Sequence, residues 1–182
     1  MVVIIWQMMK MNPTKSDRFS RIGIIRPQDL DELKEWCKEQ QGLVRSDSTY
    51  VVGNRWEKWF GKGWKLTKDP EIFEAEHNER IHRLGERLLP GNHSCLFLYY
   101  APGGFIRPHR DHKISENWVV QVNVGTEVYY DLEGDKHLIK DGEIFGFDSK
   151  LLHSTTLCPQ ERWAVSWRYI KSEYLTEQLS LI

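Results

Sequence analysis

Residues 95–132 read CLFLYYAPGGFIRPHRDHKISENWVVQVNVGTEVYYDL. Stretches rich in apolar residues alternate here with Pro-Gly-Gly, Gly and Asp punctuation, the signature of short strands joined by turns. The pattern continues through KHLIK, EIFGFD, LLHSTTL and RWAVSWRYI, ending at residue 170. Close strand spacing of this kind predicts an antiparallel sandwich or barrel, and an unrelated β-sandwich fits it as well as a jelly roll does.

Upstream, residues 26–87 read as largely helical. Pro27 suits a first helical turn, Leu30, Leu33 and Trp36-Cys37 recur at helical spacing, and Gly42 is a stop signal. A second helix is expected to open at Asp69-Pro70, with Ile72-Phe73, Ile81, Leu84 and Leu88 on one face and Pro90-Gly91 at its end. Two helices followed by many strands give the expected fold class: α+β, mainly β, a double-stranded β-helix (jelly roll) with N-terminal helices packed on one sheet. The chain of 182 residues is expected to form one domain. Residues 1–93 would carry the helices and a substrate lid, and residues 94–171 the catalytic core.

His109-Arg110-Asp111 places two potential metal ligands at i and i+2, on one face of an extended strand. His153, on a later strand, can enter the same barrel mouth. Two imidazoles and a carboxylate on one face of an octahedral ion form the facial triad of non-haem Fe(II) sites and leave three positions open. A 2-oxo acid such as 2-oxoglutarate fills two of these and O₂ the third, which a closed four-ligand zinc site would not allow. An isolated H-x-D is common by chance. The order of H-x-D, second His and closing arginines is what carries weight.

In the last strand, alternation sets Arg162, Ala164, Ser166 and Arg168 on one face and Trp163, Val165 and Trp167 on the other. Two guanidiniums on a small-residue face need an anion, and a dicarboxylate supplies one. Arg162 is assigned to the distal carboxylate of 2-oxoglutarate with Tyr100 as hydroxyl donor. Ser166 and Arg168 complete the cosubstrate contacts nearer the metal.

These stretches resemble the AlkB-like family of Fe(II)/2-oxoglutarate dioxygenases. YAPGGFIRPHRD is similar to that family's lead into His-x-Asp, VVQVNVG to its next strand, DGEIFGF to a Gly-Asp strand, and RWAVSWR to its closing pair of arginines. The resemblance runs from about Leu98 to Arg168. It implies His109, Asp111 and His153 as iron ligands and Tyr100, Arg162 and Arg168 as cosubstrate contacts. Leu98 stands where the family has an Asn, Ala164 replaces another polar contact, and Lys113 replaces an acidic residue of base-reading members.

An alkylated nucleic-acid base is the substrate the resemblance implies, flipped from its stack and oxidatively demethylated. Residues 54–68, NRWEKWFGKGWKLTK, interleave Arg55, Lys58, Lys62, Lys65 and Lys68 with Trp56, Trp59, Phe60 and Trp64. Cations and π faces together suit a single strand. Trp56, Trp59, Trp64 and Lys113 are the candidate substrate residues, and Gly61 and Gly63 would make the segment a lid. A packed hairpin with solvated lysines explains the composition equally well. The alternatives are a hydroxylase of a protein residue or small metabolite, or a binding module without activity. A cupin-like zinc or manganese enzyme is disfavoured by the ligand types.

A net charge of −1 provides no global attraction to nucleic acid or to anionic membranes. Cys37, Cys95 and Cys158 form no C-x-x-C pair, which fits an intracellular, reducing location. The apolar opening MVVIIWQMM is broken by Lys10 before it could span a bilayer, and reads as a first strand or a frayed start. No membrane partner is expected, and the sequence leaves the oligomeric state open.

Overall fold

A computed structural model describes residues 18–65, 67 and 70–176. The opening apolar run, Lys68 and Asp69 lie outside the described residues. In chain order the elements are β1 (Phe19–Ile24), α1 (Pro27–Lys38), β2 (Val44–Arg45), β3 (Val51–Val52), β4 (Arg55–Lys65), β5 (Glu71–Glu74), α2 (Glu79–Leu88), β6 (Ser94–Tyr100), β7 (Phe105–Ile106), β8 (Ser115–Gly125), β9 (Val128–Leu132), β10 (Asp135–Ile139), β11 (Glu143–Asp148), β12 (His153–Thr155), β13 (Arg162–Ile170) and α3 (Ser172–Thr176).

The large sheet runs β1-β11-β8-β13-β6-β4-β2, with β5 joined to β4, and a smaller sheet runs β10-β9-β12. Their pairings are antiparallel. This is the expected double-stranded β-helix, in which two sheets face each other across a mouth. Strand alternation gives the large sheet two chemically distinct faces. Phe97, Val120, Val122, Val165 and Trp167 form its outer face and bury Leu30, Leu33 and Cys37 of α1 and Ile81 of α2. The Trp167 indole also donates to the Ile81 carbonyl at 3.2 Å. The helices therefore pack on the face away from the mouth, which leaves the inner face free to line a cavity.

The region between the helices differs from the expected pattern. Residues 71–74 form β5 rather than a helix, because Lys62 to Lys65 pair with them in antiparallel register. α2 begins later, at Glu79, where the Asn78 side chain accepts the Ile81 N–H at 3.2 Å. A side-chain cap satisfies a backbone donor that the first turn leaves open.

The segment expected to act as a lid is regular strand. Residues 55–61 are a strand bonded to β6, and residues 62–65 turn to pair with β5. Gly61 sits at this change of partner with φ +74, and a Cβ there would meet the His93 carbonyl oxygen at 2.9 Å. It bends a strand; it does not hinge a loop.

Gly125 ends β8 at φ +98, where a Cβ would lie 2.5 Å from the Glu161 carbonyl oxygen. Backbone on both sides prevents relaxation. Gly125→Ala is expected to cost about 1–3 kcal/mol of stability, read as a lower urea midpoint with unchanged slope.

Candidate active site

His109 and His153 face each other across a reciprocal backbone pair. His109 N–H donates to the His153 carbonyl at 3.0 Å, and the return bond is 2.9 Å. His109 therefore sits in an isolated bridge rather than in the continuous strand expected from H-x-D. Asp111 lies past it, its N–H fastened to the Ser149 carbonyl at 2.9 Å.

Each imidazole is oriented by its own backbone. His109 Nδ1 lies 3.0 Å from the Arg107 carbonyl and His153 Nδ1 2.9 Å from that of Leu151. With Nδ1 carrying the proton, each Nε2 presents a bare lone pair to a cation. Those Nε2 atoms stand 3.6 and 3.7 Å from Asp111 Oδ1. The three ligand atoms lie within 4.8 Å of one another, the arrangement a single metal ion requires.

Electrostatics favour the metal-ready protonation states. Burial alone would raise the Asp111 carboxyl, but the Arg168 guanidinium and the two imidazoles hold it well below the usual carboxylate range. Burial lowers His153 to about 4; Asp111 opposes the fall and His109 adds to it. At neutral pH the triad is one anion and a neutral imidazole at His153, a donor set suited to a divalent ion.

The arginines of β13 reach the same cavity. Arg168 Nη1 donates to Asp111 Oδ2 at 3.2 Å and its Nη2 to Ser166 Oγ at 3.0 Å. Its Nε has no partner. Arg162 is 1% exposed. Its Nε donates to Asn123 Oδ1 at 2.6 Å, and its guanidinium lies 5.1 Å from the Tyr100 ring centre. Among the described residues no carboxylate pairs with it. A buried guanidinium in that position calls for an anion from outside the chain.

The cavity holding these groups measures about 1180 Å³. Of the expected substrate residues, Trp59 and Trp64 line it, their ring centres 4.4 Å apart. Trp56 and Lys113 do not. Trp56 stacks on Tyr99 of β6, away from the cavity, because odd and even positions of β4 face opposite ways. Lys113 is exposed outside the lining.

Lys58, Lys62 and Lys65 are ion-paired with Glu76, Glu74 and Glu71 respectively. Arg110 at the mouth pairs with Glu133 at 3.0 Å. The described lysines expected to bind phosphates are thus already neutralised by neighbouring glutamates.

Several residues in or behind the cavity wall carry no motif. Arg55, 7% exposed, donates to Ser46 Oγ at 2.7 Å and Glu57 Oε2 at 3.0 Å. The Tyr130 hydroxyl is buried without a partner, and its ring stacks on His153 with centres 5.8 Å apart. Asn123, fully buried, orients Arg162 while its own amide donates to the Thr126 and Lys140 carbonyls. Strand parity was the one sequence signal for Arg55, which shares the face of Trp59.

No protein-family model matches this sequence, and no curated protein does. Solved structures do. OsALKBH1 superposes with a TM-score of 0.59 at 15% identity, covering 86% of this chain and 100% of that one. An oxidoreductase of the 2OG-Fe(II) oxygenase family from Burkholderia pseudomallei gives 0.60 at 12% identity, over 84% and 85%. A prolyl-4-hydroxylase from Pseudomonas putida gives 0.58 at 18% identity, over 86% and 94%. The chain has the fold of the 2OG-Fe(II) oxygenases. Within that fold it carries a His-x-Asp…His site. No described helix is long and apolar enough to cross a membrane.

Proposed function

We propose that this protein is an Fe(II)- and 2-oxoglutarate-dependent oxygenase. The observation that carries the proposal is Arg162, a buried cation without a carboxylate partner among the described residues, opening on the same cavity as a three-residue metal-ligand cluster. His109, Asp111 and His153 would hold the ion. Arg162 and Tyr100 would hold the distal carboxylate of the cosubstrate, with Ser166 and Arg168 toward the metal end.

Iron and 2-oxoglutarate, when bound, supply the O₂ chemistry: R–H, O₂ and 2-oxoglutarate become R–OH, succinate and CO₂, with one oxygen atom going to each of the alcohol and the succinate. The chain's own contribution is positional. Arg168 keeps Asp111 ionised and fixes its second oxygen, so Oδ1 faces the imidazoles. Backbone carbonyls fix both imidazole rings. The apolar inner residues Leu98 and Ala164 flank the path between Arg162 and the triad and keep it dry.

AlkB-like demethylation of a nucleic-acid base requires unpaired cations along a strand path. The paired state of Lys58, Lys62 and Lys65 favours instead hydroxylation of a smaller substrate. The test of the oxygenase assignment is anaerobic addition of Fe(II) and then 2-oxoglutarate, which is expected to produce a visible charge-transfer absorption in the wild type and none in His109→Ala. Its absence in the wild type, together with no succinate formation in air, overturns the assignment.

A further inference from the structure

Arg55 and Glu57 are used by none of the roles above. Both line the cavity, and both sit at inward-facing positions of β4. Arg55 is almost fully buried, yet its Nε has no partner among the described residues and its bond to the Tyr100 hydroxyl is a long 3.4 Å. Its firm contacts are Ser46 Oγ at 2.7 Å and the Glu57 carboxylate at 3.0 Å. We propose that Arg55 and Glu57 together bind the charged head of a free α-amino acid, whose side chain is the group oxidised. This rests on the oxygenase reading of the same cavity and adds the substrate class to it.

Charge balance favours a zwitterionic head. The Arg55–Glu57 pair is neutral as a unit, and a zwitterion is too. Exchanging one internal ion pair for two crossed ones, carboxylate to Arg55 and ammonium to Glu57, buries no net charge. A ligand with only an anionic head would leave Glu57 beside it, and like charges in a half-buried site are costly. Arginine's planar fork suits a carboxylate.

Strand register sets the two heads side by side. Arg55 and Arg162 both stand opposite Tyr100, from the two strands that flank β6. Moving inward, Glu57, Leu98 and Ala164 lie in one row, and Trp59, Leu96 and Ser166 in the next. A molecule held along β4 therefore lies beside a cosubstrate held along β13. Both heads are at the Tyr100 end and both tails run toward Asp111 and Arg168.

Successive inward rows are about 6.6–6.8 Å apart. The α-carbon is thus held away from the metal, and side-chain carbons reach it along the wall made by Trp59 and Trp64. The balanced step is hydroxylation of one of those carbons: its C–H becomes C–OH while 2-oxoglutarate and O₂ become succinate and CO₂.

The test uses the full chain with Fe(II). Succinate formation is measured with each of the twenty free amino acids, with their N-acetyl and carboxamide derivatives, and with methylated oligonucleotides. Stimulation by one or a few longer amino acids is expected, and it is lost when either end of the head is blocked. Arg55→Lys and the near-isosteric Glu57→Gln are each expected to raise the KM for that amino acid roughly 10- to 100-fold, as loss of a charge-assisted hydrogen bond does. In both, the KM for 2-oxoglutarate is expected to move less than about twofold.

Stimulation by blocked derivatives or oligonucleotides would overturn the proposal. So would an Arg55→Lys effect falling on 2-oxoglutarate instead, or no response to any free amino acid. The anaerobic charge-transfer absorption separates the two levels. If it forms and no amino acid responds, only the substrate class is wrong; if it never forms, the oxygenase reading itself has failed.

Discussion

Asp111→Ala is expected to abolish Fe(II) binding and to lower 2-oxoglutarate turnover at least about a thousandfold, since the variant loses the only anionic ligand of the triad. The same substitution is expected to destabilise the metal-free protein. Asp111 Oδ1 faces two imidazoles, and Oδ2 accepts from the Arg168 guanidinium at 3.2 Å. Arg168 is 7% exposed and its Nε is already without a partner. Removing the carboxylate leaves that charge buried against the Ser166 hydroxyl and the Trp64 ring, with no described carboxylate, at a cost of about 3–5 kcal/mol for a broken buried pair.

His153→Ala separates the two effects. It also removes the metal, but its imidazole is neutral at pH 7 and holds no ion pair that stability depends on. Metal content after dialysis is expected to be near zero in both variants. The thermal midpoint of the metal-free protein is expected to fall much further in Asp111→Ala. Equal midpoints would mean that Arg168 finds another partner.

Arg162→Met is expected to behave in the opposite way: cosubstrate binding collapses while the fold does not suffer. Truncating one member of a buried charge pair weakens the complex by about 2–5 kcal/mol, roughly 30-fold to several thousandfold in Kd. The free protein gains nothing comparable from Arg162, whose guanidinium meets no described carboxylate and lies against the Tyr100 ring and Cys158. Methionine fills a similar length without the charge. The bond lost to Asn123 leaves that amide still donating to two carbonyls. The stability of the unliganded variant is expected to lie within about 1 kcal/mol of wild type. Fe(II) binding is expected to persist, and the thermal shift that 2-oxoglutarate gives the wild type to vanish. A large loss of stability without ligand would show Arg162 to be a structural cation.

How far the sequence could be read depended on whether neighbours in space were also neighbours in pattern. From Ser94 onward, strand parity alone separates Arg162, Ser166 and Arg168 from Trp163, Val165 and Trp167, and the structure divides them in that way between cavity and helix-facing core. The approach of His109 to His153 could be anticipated from residue type and order, although the bridge joining them is not a strand.

Residues 44–76 could not be read this way. Ile72 and Phe73 suit a helix face as well as a strand, and the decision came from the partner strand at Lys62 to Lys65. The lysines of β4 looked like a phosphate track because their glutamate partners follow after a turn. Arg55 was counted as one surface cation among five, since burial by a distant Tyr100 leaves no local mark.

The cross-strand ladder of Lys62 with Glu74 and Lys65 with Glu71 also bears on how quickly a ligand arrives. Steered encounters reach about 10⁸–10⁹ M⁻¹s⁻¹ at low salt, against about 10⁵–10⁶ without a field. Along this edge of the mouth Lys58, Lys62 and Lys65 each meet a glutamate, so the edge casts little potential past a Debye length of about 8 Å. Ligands then arrive by unassisted diffusion. The rate at subsaturating concentration should stay nearly flat from dilute buffer to high salt, whereas a phosphate-tracking enzyme would slow by orders of magnitude over the same range.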